Sequence, residues 1–344
     1  MKKRIITILC VLLAVCVILP AAAAVILYEV NFTERYYTDV TAAFRIEDFP
    51  LLTAEKHTFL SGSGQTLTGY LYRYENTEPR ALLLLAHGIG SGGQNRFMNV
   101  ADHFAARGYA VFAYDATGND ESEGKGTRGL PQGAIDLTYA ISYAEQLPGC
   151  GELPVLLLGH SWGAYSVCSV LTYHPEVKAV CAISGFDRSS DLLRATGENM
   201  IGGAVNLIMP YVNLWEKLRF GEYAGNTSMD GFAASNARVM IIHSEDDTTV
   251  PIEYGYDLYE KTYGGDPRFT FIKLQNRHHN HVFRTAEFEE YLTGLENGFA
   301  AFGLPEDARD GWMKEHMDRQ KLIDALDPEL FAQIDAFFDG AIMP

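Results

Sequence analysis

The sequence predicts an α/β protein with an open, mostly parallel sheet, preceded by one membrane-spanning helix. Three observations carry that expectation. Residues 81–86 are a continuous apolar run, as a parallel strand buried on both faces is, and further strand signals lie at 109–114, 155–158, 179–183, 239–243 and 269–274. Helix-like stretches at 97–107, 133–146 and 164–173 lie among them, so strands and helices alternate as crossover units require. Residues 5–28 are uncharged and apolar, longer than the roughly 20 residues that span a bilayer.

That apolar stretch follows Lys2-Lys3-Arg4 and precedes Glu29. The positive-inside rule leaves the N-terminus in the cytoplasm and the rest of the chain outside it. A cleaved signal peptide is the alternative, with 5–19 as its apolar region and Ala21 to Ala24 as the cleavage site, which would give a secreted protein. The apolar run continues through Val25-Ile26-Leu27, past that site, and favours an uncleaved anchor. The expected organisation is therefore an anchor at 1–30, a connector at 31–55 carrying Tyr36, Tyr37 and Phe44, and one domain at 56–344.

The domain opens with strand signals at 56–60 and 66–74 joined through Ser61-Gly62-Ser63-Gly64-Gln65, an antiparallel hairpin. Residues 187–234 separate two strands by far more than one helix requires. A charged segment at 303–317 precedes a last helix at 328–341. Leu330, Phe331, Ile334, Phe337 and Phe338 recur there at helical spacing and predict packing against the sheet.

Bulk properties exclude some functions. The net charge is −17, and phosphate recognition wants a basic surface, so nucleic acid is not an expected partner. The five cysteines do not form a disulfide framework. Cys10 and Cys16 sit in the apolar segment, while Cys168 and Cys181 read as small buried hydrophobes. No spacing suggests a metal site, and no cofactor is expected.

The chemistry centres on Gly159-His160-Ser161-Trp162-Gly163, a G-x-S-x-G sequence between a strand and a helix. In that context it reads as a nucleophile elbow. The glycines spare the sharp turn two side chains, and the turn places the Ser161 hydroxyl near a helix N-terminus. A serine hydroxyl needs a base, and the base needs an orienting carboxylate. In this architecture the acid and then the histidine lie downstream. Ser244-Glu245-Asp246-Asp247 follows the strand at 239–243, and a carboxylate there points into the crevice at the strand ends. Asp247, just before Thr248-Thr249-Val250-Pro251, is the candidate acid, with Asp246 behind it. The strand at 269–274 leads into Arg277-His278-His279-Asn280-His281. His279 is the candidate base, with His281 and His278 behind it. A metal reading of the three imidazoles lacks a thiol or a Glu-x-x-His partner. The amide of Trp162 is one expected oxyanion donor, and the loop His87-Gly88-Ile89-Gly90 supplies the other through Ile89. His87 is expected to brace that loop.

Taken as a set, His87-Gly88-Ile89-Gly90, Gly159-His160-Ser161-Trp162-Gly163, Asp247-Thr248-Thr249-Val250-Pro251 and Arg277-His278-His279-Asn280 resemble the α/β-hydrolase superfamily, and most closely its serine-aminopeptidase and monoglyceride-lipase-like branch. Asp115-Ala116-Thr117-Gly118-Asn119-Asp120-Glu121-Ser122-Glu123-Gly124 is similar to that branch's D-x-x-G-x-G-x-S-x-G loop, with Asp120 where glycine is common. The resemblance implies an α/β-hydrolase fold, a mostly parallel eight-stranded sheet flanked by helices with a helical lid, and a triad of Ser161, Asp247 and His279. It places the lid at 187–234. His278 stands where the family usually has glycine. The family's last helix normally follows the histidine closely, so 285–326 reads as an insertion.

The expected function is a membrane-anchored, extracytoplasmic serine hydrolase that cleaves an ester through an acyl-enzyme, acting on a small acyl substrate. Apolar residues at 200–215 of the lid suggest an acyl pocket near the membrane. The alternatives are a peptidase for short peptides, with Asp120-Glu121-Ser122-Glu123 as a site for the terminal amine, and a binding protein on a hydrolase scaffold.

Overall fold

The computed structural model describes residues 2–90 and 92–343. Eight strands form one sheet: β1 (Leu52–Leu60), β2 (Thr66–Tyr74), β3 (Ala81–Ala86), β4 (Tyr109–Tyr114), β5 (Val155–His160), β6 (Ala179–Ile183), β7 (Arg238–Ser244) and β8 (Phe269–Leu274), in the order β1-β2-β4-β3-β5-β6-β7-β8. β2 runs antiparallel to both its neighbours, and every other pairing is parallel. The pleat sends alternate side chains of the apolar strands to opposite faces. Leu82, Leu84 and Ala86 of β3 enter one core, and Ala81, Leu83 and Leu85 enter the other.

The N-terminal helix is continuous over Lys2–Asn31 and is long and apolar enough to cross a membrane. It comprises α1 (Lys2–Leu13), a π-helical stretch (Ala14–Ile18) and α2 (Leu19–Asn31). Pro20, at the start of α2, has no N–H to donate to the preceding turn and its ring crowds the carbonyl there, and the wider π turn accommodates both.

Helices α3 (Met98–Ala105), α4 (Pro131–Ala144) and α5 (Trp162–Ser169) follow β3, β4 and β5. Pro131 starts α4 two residues before the expected boundary, because a missing N–H costs nothing in the first turn. After β6 come α6 (Ser189–Ile201), α7 (Val205–Phe220) and α8 (Ser228–Ala234), filling the segment expected to be the lid. α9 (Tyr256–Tyr263) joins β7 to β8. Beyond β8 lie α10 (Ala286–Phe302), α11 (Arg309–His316), α12 (Arg319–Ile323) and α13 (Pro328–Ile342). One core packs α2, α4, α5, α7, α8 and α9 on the sheet, and the other packs α3, α10, α12 and α13. The apolar stripe of α13 is buried as its spacing predicts.

One expectation needs correction. β1 starts at Leu52, inside the expected connector, because its ladder with β2 runs unbroken from Leu52 opposite Tyr74 to Leu60 opposite Thr66. The length of β1 is set by its partner rather than by its own pattern. Within the expected connector, residues 32–48 are bound to the domain by side-chain hydrogen bonds. The Arg35 side chain donates to the carbonyls of Asp120 (2.9 Å) and Ser122 (3.0 Å). Asp120 accepts from the Thr38 backbone N–H (2.8 Å) and hydroxyl (2.6 Å) and from the Gly93 N–H (2.7 Å). The segment at 285–326 grips the same connector from the other side. Arg309 pairs with Asp39 at 3.2 Å, and Arg319 donates to the Ala43 carbonyl at 2.9 Å and pairs with Asp48.

Candidate active site

The site lies at the C-terminal ends of the parallel strands, where open α/β sheets place ligands. Ser161 follows β5 and caps α5 with φ 56° and ψ −116°. A non-glycine residue in that region is strained and is held there only by its surroundings. Both flanking glycines are obligatory: a Cβ on Gly159 would lie 2.3 Å from the Gly163 carbonyl oxygen, and one on Gly163 would lie 2.0 Å from that of Ala86. The elbow is thus pressed against the end of β3.

His279 stands between Ser161 and Asp247. Its Nδ1 is 2.7 Å from Asp247 Oδ2, and its Nε2 is 2.8 Å from Ser161 Oγ. A carboxylate can only accept, so Nδ1 carries the proton and the serine hydroxyl donates to Nε2. Asp247 Oδ1 accepts from the backbone N–H groups of Thr249 and Val250, both at 2.9 Å. His243, fully buried at the end of β7, approaches Asp247 Oδ2 at 3.3 Å and donates to the Val250 carbonyl at 2.9 Å. Burial alone would raise the Asp247 pKa, but the hydrogen bonds from His243, His279 and Val250 outweigh it and hold the carboxyl well below the usual carboxylate range. Asp247 is therefore an anion throughout the physiological range.

The competing residues are engaged elsewhere. Asp246 pairs with His278 Nδ1 at 2.6 Å, and His281 faces Glu289 at 3.4 Å. Only His279 of the three reaches the serine. His87 lies buried in the loop after β3, and its Nε2 accepts the Ala116 N–H at 2.9 Å, so its Nδ1 donates to the Gly88 carbonyl at 2.8 Å. Burial pushes its pKa down and keeps the ring neutral. The loop runs alongside the nucleophile, where a Cβ on Gly88 would sit 3.3 Å from that of Ser161. Ile89 comes next. Trp162 is the first residue of α5, where main-chain N–H groups have no helical partner. Its indole is buried and donates to the Leu130 carbonyl at 2.7 Å.

Two histidines of this site escape sequence reasoning. His160 occupies a variable position of the G-x-S-x-G pattern, and its Nε2 donates to the backbone carbonyl of His279 at 2.9 Å. Burial drives its pKa well down, so the ring is neutral. His243 sits in an apolar strand, and only its place four residues before Asp247 hints at a contact.

The comparisons agree with this architecture. A family model described as serine aminopeptidase, S33, matches residues 77–230, which include the elbow but end before Asp247 and His279. The monoacylglycerol lipase of Mycolicibacterium smegmatis is 30% identical over 135 residues, 39% of this chain and 47% of the lipase. The quorum-quenching protein AidA of Acinetobacter baumannii is 27% identical over 144 residues, 40% of this chain and 47% of that protein. These alignments span about half the length of the curated relatives. The Pyrococcus furiosus esterase Pf2001 shares the fold at 16% identity with a TM-score of 0.55, over 78% of this chain and 97% of the esterase. Sheet order and the structural match give the chain the α/β-hydrolase fold. Over residues 77–230 it is similar to the serine aminopeptidase family, and over 135 residues to a monoacylglycerol lipase.

Proposed function

We propose that the chain is a membrane-anchored, extracytoplasmic hydrolase that cleaves carboxylic esters through Ser161, His279 and Asp247. The observation that carries this is the unbroken, nearly buried chain of hydrogen bonds from the Ser161 hydroxyl through His279 to Asp247, at 2.8 and 2.7 Å.

Ser161 Oγ attacks the acyl carbonyl while its proton passes to His279 Nε2. The imidazolium that forms is stabilised by the Asp247 anion 2.7 Å away, which stays ionised because hydrogen bonds from four residues hold it so. The main-chain N–H groups of Trp162 and Ile89 take the oxyanion. His279 then returns the proton to the leaving alcohol, and a water activated by the same ring releases the acyl-enzyme. The peptidase alternative needs a free carboxylate for a terminal amine, and the loop considered for it is occupied. Asp120 serves Thr38 and Gly93, Glu121 serves Lys56 and Tyr70, and Glu123 accepts the Thr66 N–H at 2.8 Å.

A fluorophosphonate probe tests the nucleophile. Wild-type protein is labelled and Ser161→Ala is not; unlabelled wild type would mean a binding protein on a hydrolase scaffold. Rates on p-nitrophenyl esters against aminoacyl amides separate esterase from peptidase.

A further inference from the structure

The last turns of the N-terminal helix do not stop at the domain surface. Ala24, Tyr28 and Phe32 are buried, four residues apart, so one helical face is sunk into the protein. Tyr28 donates to Glu216 of α7 at 2.9 Å, and the other oxygen of Glu216 accepts the Ser189 hydroxyl at 2.8 Å. Glu29 accepts from the Trp215 indole at 2.8 Å and pairs with Arg219. A Cβ on Gly129 would lie 2.0 Å from the Tyr28 hydroxyl, so the body of the domain leaves space for that ring.

Between this helix and α6 and α7 lies an apolar cavity of about 220 Å³. Its lining includes Leu27 and Tyr28 of the N-terminal helix, Leu193 of α6, Met209 of α7, and Ile89. An apolar space of this kind favours hydrocarbon over water. Through Ile89 the cavity touches the loop proposed to hold the oxyanion. The apolar stretch starts at residue 5 and a bilayer core needs roughly 20 residues, so about the last seven residues of the helix, 25–31, are free to stand clear of the hydrocarbon. Leu27, Tyr28 and Asn31 among them line the cavity. Leu207, Leu214 and Leu218 of α7 are more than half exposed, an uncovered apolar stripe on the face of α7 opposite Val205, Met209 and Val212.

We infer that the membrane-proximal end of the N-terminal helix is one wall of the acyl-binding pocket, and that the substrate is a lipid-like ester whose acyl chain lies between this helix and α6 and α7. The inference rests on the ester-hydrolase reading of Ser161 for its chemistry but not for its pocket.

The test uses the full chain in detergent micelles and two single variants, Leu27→Trp from the helix and Leu193→Trp from the opposite wall. Each is assayed on p-nitrophenyl acetate and p-nitrophenyl decanoate. In both variants the decanoate-to-acetate rate ratio falls at least about tenfold, and Leu27→Ala, which enlarges the space, does not lower it. A ratio that stays at the wild-type value in Leu27→Trp overturns the inference, even if both rates fall. If wild type cleaves neither ester, the catalytic reading fails separately. The pocket is then read by titrating Ser161→Ala with a fluorescent fatty acid. Saturable binding that Leu27→Trp weakens sustains it, and binding that is absent or indifferent to Leu27→Trp sinks it.

Discussion

His160 shows how much a single side chain in the elbow contributes. Its Nε2–H reaches the main-chain carbonyl of His279, and the two rings lie 5.0 Å apart. The bond ties the loop after β8 to the end of β5, so it positions the imidazole without touching substrate. Replacing it with Phe keeps a ring in the space and leaves that buried carbonyl unpaired. One lost buried hydrogen bond is worth about 1 kcal/mol, so kcat should fall roughly fivefold with little change in KM. Comparable losses in kcat and KM would instead indicate a general loss of structure, and an unchanged kcat would deny His160 this role. Ser161, Asp247 and His279 could be picked out from sequence because each follows a recognisable strand. His160 could not, since its partner lies 119 residues away and only the folded sheet brings them together.

At the scale of elements, the elbow is a contact between β5, α5 and β3 more than a property of its own five residues. The central strands were legible because a run such as Leu82 to Leu85 has no polar face and is buried on both sides. The edges were less so: β1 takes its length from β2, and the helices at 286–323 bury Phe288 and Leu322 through tertiary contacts that their charged sequence obscures. Gly163 tests the contact directly. Its α-carbon is so near the Ala86 carbonyl that a methyl group would force β3 and α5 apart. Gly163→Ala should lower the urea midpoint by an amount equivalent to at least about 2 kcal/mol and remove fluorophosphonate labelling. Gly149→Ala is the control at a surface glycine of positive φ with nothing within 4 Å, where only backbone strain of about 1 kcal/mol applies. Equal losses at the two positions would mean that conformation, not the close approach to β3, makes glycine necessary at the elbow.

The whole molecule joins an acidic domain to a helix with a basic start, and the asymmetry has a direction. Lys2, Lys3 and Arg4 precede the apolar segment, whereas Glu29 and Glu34 follow it in a chain of net charge −17. Moving three adjacent positive charges through a bilayer is costly, and retaining them on the cytoplasmic side leaves the domain outside. If the helix is kept as an anchor, as proposed, the docking of Tyr28 and Glu29 on α7 fixes the distance between the domain and the membrane, which a flexible tether would not do. Protease added to sealed, right-side-out vesicles should digest the domain without detergent. A variant carrying Lys2→Glu, Lys3→Glu and Arg4→Glu should protect a substantial fraction of it, because the remaining charges no longer favour one orientation. Mass measurement of the membrane fraction separates anchor from signal peptide: an intact chain of 38.1 kDa keeps the helix, and a species starting after Ala24 does not. Protection of wild type until the vesicles are lysed would place the domain on the cytoplasmic side and reverse the topology, while leaving the packing of α2 on the lid helices as it is.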